Sequence, residues 1–289
     1  EPRSYGGEPV FAKTLQNLDN LGRLTIETPK TVVNLQLEDN LWRVMEIGNY
    51  YAGYRQINNL FNDFADARIY RRRGPATDAD EKKFGLDDNA FRVITRDAGG
   101  QILNSVLIGK ATADNLYHFA RIEGEKDVFL ITGNFSFPET AVSWLQQPLL
   151  SLSPADIRSL KIGQETAVRP DIIVPFRIKG KQAVPDISRY LNALGFVAAY
   201  DVRRSADFDR LQFSAPKSLT VTTFDGLVVT IEVYGRTGEE YWASFKFSTT
   251  TLPTTAVNDY IKSSAFLYED WYFRLAPDVG RILFNAFIQ

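Results

Sequence analysis

The chain has 289 residues, 44% hydrophobic and 13% aromatic, which is too apolar for disorder and sufficient for one large or two ordinary domains. A formal net charge of -2, from 33 basic and 35 acidic residues, argues against a general polyanion binder of the kind that coats nucleic acid. The absence of cysteine removes disulfides, thiolate metal sites and cysteine nucleophiles together.

Glu1-Pro2-Arg3-Ser4-Tyr5-Gly6-Gly7-Glu8-Pro9 reads as extended, so residues 1–20 are expected to form a leader behind a signal peptide or membrane helix lying upstream. No run in the sequence approaches the roughly 18 apolar residues of a membrane-spanning helix. Residues 31–38 alternate, with Val33, Leu35 and Leu37 on one face, which predicts a half-buried strand that Trp42 and Val44 carry into the next. The period then changes. Tyr54, Ile57, Leu60, Phe61 and Phe64 share a face, so an amphipathic helix is expected over residues 51–67. Residues 71–88 are polar, contain Gly74-Pro75 and read as a loop. Residues 91–97 and 102–108 flank Asp97-Ala98-Gly99-Gly100, a hairpin signal, and further strands are expected at 116–122 and 128–131. Residues 134–154, with Trp144 and Leu145 between prolines, read as a short helix and linker, placing the domain boundary near Leu150.

In the second half, residues 157–162 and 172–178 are strand candidates, and Pro185-Asp186 opens a helix carrying Ile187, Tyr190, Leu191 and Leu194 before Gly195. Asp225-Gly226 between the runs 219–224 and 227–234 is the clearest hairpin of the chain, and residues 241–248 should pair beside it. Val257, Tyr260, Ile261 and Ala265, then Val279, Ile282, Leu283 and Ala286, predict two helices on either side of residues 271–277, a tail expected to depart from the first half.

The halves echo one another. Leu24-Thr25-Ile26, the helix from Tyr54, Phe91-Arg92-Val93 and Tyr117-His118-Phe119 recur as Leu160-Lys161-Ile162, the helix from Asp186, Leu219-Thr220-Val221 and Tyr241-Trp242-Ala243. The offset of roughly 130 residues is far beyond a solenoid period. The expected architecture is therefore α+β, with two tandem repeated modules over residues 21–150 and 151–289, each an antiparallel-rich sheet with a packed helix, plus two C-terminal helices.

Leu24-Thr25-Ile26-Glu27-Thr28-Pro29, Phe84-Gly85-Leu86-Asp87, Val106-Leu107-Ile108-Gly109-Lys110, Leu152-Ser153-Pro154-Ala155-Asp156-Ile157-Arg158-Ser159, Thr222-Thr223-Phe224-Asp225-Gly226 and Trp271-Tyr272-Phe273-Arg274-Leu275, in this order from about Leu21 onward, resemble the bacterial family called domain of unknown function 4340. The resemblance implies an envelope protein on the periplasmic side of the inner membrane, anchored by an N-terminal helix and serving beside ABC-transporter subunits of the gliding-motility type. It brings no catalytic or binding residue with it.

The residues themselves point to no reaction. His118 is the only histidine and sits in a strand, with no Gly-x-Ser-x-Gly elbow or second ligand to make it a triad member or metal site. Gly109-Lys110-Ala111-Thr112 is a strand end and not a phosphate loop, so any ATPase is another chain. Asp87, Asp88, Asp127 and Glu139 are the carboxylates available for an acid/base pair, though turn and surface roles fit them better. Arg68, Arg71, Arg72 and Arg73 form the densest basic cluster, and Arg203 and Arg204 follow the equivalent helix, a recurrence that favours a structural role. Arg71, Arg72, Arg73 and Trp271 are the residues expected to touch a partner or lipid, Trp271 because it lies between tail helices. The expectation is a non-enzymatic scaffold with no cofactor, binding transporter subunits or another envelope protein. The alternatives are a lipid or glycan carrier using the cleft between modules and a carboxylate hydrolase.

Overall fold

A computed structural model describes residues 6–178, 180–181 and 187–285. The chain divides into two compact units, Glu1–Gln146 and Gln147–Gln289. The first contains α1 (Ala12–Gln16), β1 (Leu21–Glu27), β2 (Val32–Glu38), β3 (Leu41–Val44), β4 (Tyr50–Tyr51), α2 (Tyr54–Asp66), β5 (Arg68–Pro75), α3 (Asp78–Phe84), β6 (Phe91–Asp97), β7 (Ile102–Ala111), β8 (His118–Ile122) and β9 (Asp127–Thr132). The second contains β10 (Ile157–Ile162), β11 (Glu165–Val168), β12 (Arg177–Ile178), α4 (Ser188–Gly195), β13 (Ala199–Arg204), β14 (Lys217–Thr223), β15 (Leu227–Arg236), β16 (Glu240–Thr249), α5 (Thr255–Ser264), β17 (Trp271–Leu275) and α6 (Pro277–Phe284).

Each unit holds one antiparallel sheet, in the order β4-β3-β2-β1-β6-β7-β8-β9-β5 and β12-β11-β10-β14-β15-β16-β17-β13. Apart from β4 the two orders are the same, strand for strand. The fold is thus the expected α+β arrangement of two modules with C-terminal helices. The duplication goes further than the sequence echo, because it includes the segments that lead into each sheet. Gly7 N and Val10 N donate to Ile69 O and Ala67 O, and Leu149 N donates to Val197 O at 2.7 Å in the matching place of the second unit.

Alternation builds both cores. In the first unit Leu24, Ile26, Val33, Leu35, Val93, Val106 and Ile108 lie on one buried face. α2 buries Ile57, Leu60 and Phe64. Phe64 meets Phe11 at 4.3 Å and Phe61 meets Trp42 of β3 at 6.0 Å. Tyr54, expected on that stripe, is 77% exposed because it is the first helical residue. In the second unit α6 lies against β14, β15, β16 and α4.

Residues 6–20 do not trail as a leader: Val10 and Phe11 are buried, and Thr14 of α1 fastens the segment to the sheet. Its Oγ1 donates to Asn104 Oδ1 at 2.8 Å and lies 2.6 Å from Thr95 Oγ1. Residues 71–88 are not a loop either. β5 is the last strand of its sheet, paired with β9 and, at Arg68 and Ile69 alone, with the segment around Glu8 and Pro9, and α3 is a polar helix held by a Thr77/Asp80 capping box. Strand β5 escapes the alternation rule because every residue after Ile69 is at least partly solvated on both sides, as edges with charges and bulges are. The expected strand at 172–178 shrinks to β12, and its true partner, β11, lies before it. Asp186 and Ala286, assigned to helices from sequence, lie outside the described residues. Residues 271–277 are no gap between tail helices: β17 holds the place of β9 in the repeat, and only α5 and α6 are additions.

Two glycines explain why separated motifs travel together. A Cβ on Gly109 would lie 2.4 Å from Phe84 O, so the Phe84-Gly85-Leu86-Asp87 turn packs directly on the Val106-Leu107-Ile108-Gly109-Lys110 strand. Gly85 itself closes α3 at φ 66, the left-handed cap that glycine supplies most readily.

Candidate functional site

The arginines chosen from sequence stand together on β5, and the fold spends most of them. Arg68 Nη1 donates to Ala65 O and Ala67 O at the end of α2. Arg72 pairs with the buried Asp127. Arg73 stacks over Phe84 at 4.7 Å and over Phe119 of β8 at 5.6 Å. Arg71 is exposed. The edge strand of the second unit repeats the device: Arg203 stacks over Trp242 of β16 at 4.6 Å, and Arg204 over Trp271 at 4.9 Å. Trp271, expected to reach a partner, is only 5% exposed, in a groove of about 460 Å³ beside Arg210, Lys246 and Asp270. Trp271 belongs to the second unit, whereas Arg71, Arg72 and Arg73 belong to the first.

Aromatic packing surrounds this repeated cation–π pair. In the second unit Phe208 stacks on Tyr272 at 4.0 Å, and Arg210 covers Tyr272 at 5.5 Å. Burial opposes ionisation of Glu240, yet bonds from Trp242 Nε1, at 2.7 Å, and from Arg236 hold its carboxyl below the usual range. Phe208 also meets Trp242 at 5.6 Å, and the matching contact of the first unit is Phe84 on Phe119 at 4.3 Å.

The groups available for chemistry are dispersed. His118 Nδ1 is 3.2 Å from Gly109 O, and its ring meets Phe135 edge-on. Asp87 accepts from Asn89 N and Nδ2, which holds its carboxyl below the usual range, and Asp88 beside it is exposed. Asp127 is taken by Arg72, and Glu139 offers its carbonyl to Thr31. Among the described residues no group of three or more His, Asp or Glu side chains could hold a metal ion.

What sequence reasoning missed is one end of the second sheet. Arg169 is 8% exposed and, among the described residues, its side chain bonds only to main-chain carbonyls: Nε to Ile157 O at 2.9 Å, Nη1 to Ile172 O at 3.0 Å, and Nη2 to Ala155 O and Pro154 O. Its guanidinium lies over Phe176 at 4.6 Å and Phe224 at 5.7 Å. Phe224 N donates to Asp156 O, Thr250 N to Gly226 O and Thr254 N to Asp225 O. These bonds stitch the β11–β12 loop, the β14–β15 turn and the start of the β16–α5 connection into one platform. From it project Ile173, 86% exposed, Leu252, 89% exposed, and the half-exposed Ile172 and Phe224. The signal in the sequence was Ile172-Ile173-Val174 after Pro170-Asp171, an apolar run opening on turn residues.

The corresponding connections of the first unit are different. There β2–β3 is Asp39-Asn40, β6–β7 is Ala98-Gly99-Gly100-Gln101 and β8–β9 is Glu123-Gly124-Glu125-Lys126. The exposed apolar residues beside them, Leu41 and Ile102, sit on strands.

No curated protein and no solved structure matches the chain. A family model described as Domain of unknown function (DUF4340) matches residues 42–184. That span runs from β3 of the first unit to just past its counterpart β12 in the second, so the match covers one repeat length, out of phase with the folded units. Over residues 42–184, the chain belongs to the domain of unknown function 4340 family.

Proposed function

We propose that the protein is a non-enzymatic accessory or scaffold on the periplasmic side of a bacterial inner membrane, working beside an ABC-transporter-type complex. The observation that carries the binding role is the asymmetry between the copies: one strand frame, polar turns at one end of the first sheet, and clamped apolar loop tips at the same end of the second. Exposed apolar groups held rigidly on loops are features of contact surfaces. The assignment to a transporter rests on the family resemblance. Arg72, Arg73, Arg203 and Asp127 support a non-catalytic reading, since each is already committed to a contact inside its own unit. Purification of the membrane-anchored protein from native membranes, followed by mass spectrometry, should recover transporter subunits. Repeated recovery of the protein without any such subunit would remove the transporter role.

A further inference from the structure

We propose that the loop tips of the second unit enter the interfacial layer of a phospholipid bilayer, with Ile172, Ile173, Phe224 and Leu252 as the inserted side chains. This rests on reading that end as a contact surface, and it does not depend on any protein partner. Ile173 and Leu252 are 86% and 89% exposed and sit on separate loops, so each stands clear of its neighbours. A protein partner would need a separate socket for each, whereas an acyl layer has no fixed shape to match. The platform is already ordered, because Arg169 ties four carbonyls of two segments and the 224–226 turn ties the third. Insertion therefore freezes no additional chain, the cost that weakens most loop-mediated contacts.

The charges around the tips choose among membranes. Exposed Asp156, Asp171 and Asp225 interleave with exposed Arg158 and Arg177. Carboxylates facing choline ammonium and guanidiniums facing phosphate complement a zwitterionic headgroup, while the balance of these three carboxylates against Arg158, Arg177 and the buried Arg169 gives no net attraction to an anionic surface. The first unit supplies an internal control. Its three matching turns carry no apolar side chain larger than that of Ala98, so the exposure is not a requirement of the frame.

The chain has no cysteine, so single cysteines report without background. The full chain carrying Ile173→Cys, Leu252→Cys or, as control, Gln101→Cys is labelled with an environment-sensitive fluorophore and mixed with phosphatidylcholine vesicles. Emission should shift to the blue for the first two and stay unchanged for Gln101→Cys. In flotation, the unlabelled protein should bind these vesicles equally well with or without phosphatidylglycerol, and the exposed double variant Ile173→Ser/Leu252→Ser, with unaltered thermal melting, should bind about tenfold less. No flotation of the parent chain, undiminished flotation of the double variant, or binding that requires phosphatidylglycerol and disappears in salt would each overturn the proposal. Recovery of transporter subunits by a chain that does not float would remove the bilayer contact and leave the accessory role standing.

Discussion

The two units share every strand pairing except that of β4, yet they differ most at the connections between those strands. Pairing and alternation fix the frame: Ala120 opposes Phe129 between β8 and β9, and Ala243 opposes Phe273 between β16 and β17. The connections are free of that constraint, since a turn needs only to reverse the chain. The first unit spends Asp39-Asn40, both at positive φ, where the second spends an eight-residue loop and a buried arginine. What this teaches is where to look for function in a duplicated protein. The contacts kept in both copies, such as Arg73 on Phe119 and Arg203 on Trp242, belong to the frame. The features present in one copy are the candidates for a task.

The comparison breaks most sharply at Arg169. Arg169→Met leaves carbonyls at residues 154, 155, 157 and 172 without their donor, at a cost of about 3 to 5 kcal/mol. The first unit has no such clamp in its two-residue β2–β3 turn. Hydrogen exchange should therefore rise in residues 147–285 and stay unchanged in residues 6–146. Equal loosening of both units would show that the platform is not a local device.

A smaller effect tests the shared frame. Phe119 and Trp242 occupy the same strand position, but Trp242 is fully buried and its Nε1 is bonded to Glu240, while Phe119 is partly exposed. Trp242→Ala should cost about 3 to 5 kcal/mol and Phe119→Ala about 1 to 2 kcal/mol in denaturant unfolding. Equal costs would mean that the two copies use the position alike.

Much of the frame was legible because its elements are periodic. β2, α2, β6, β7, β14, β15 and β16 each present a buried stripe, and Asp225-Gly226 announces its hairpin. The outer strands were not legible, since β5 and β13 are flanked by another strand on one side only and carry arginines where a central strand carries valines. Ile172 and Ile173 were misread for the opposite reason: their apolar character suggested a strand, but the loop that holds them is set by a buried arginine many residues from Phe224. Trp271 was misplaced because α5 separates it from β16 and hides the repeat. The candidate site was therefore largely invisible, as it is built from contacts between three connections and from no local motif.

The smallest effect contrasts the helices. α2 ends with Asp63 and Asp66 one turn apart, whereas α4 contains no acidic residue. Burial, with Asp66 adding to it, raises the Asp63 pKa from 3.8 to about 6. A carboxyl raised in this way binds its proton more tightly folded than unfolded. Its contribution is therefore favourable at low pH and is lost as pH rises from 3.8 to about 6. The first unit carries that penalty at neutral pH. Asp63→Asn should stabilise it by about 1 kcal/mol at pH 7, after allowance for solvent screening, and by nothing measurable below pH 4. Denaturant unfolding of parent and variant across this range checks both the size and the sign. A gain that persisted unchanged in acid would mean that Asp63 destabilises through packing or helix propensity and not through its charge.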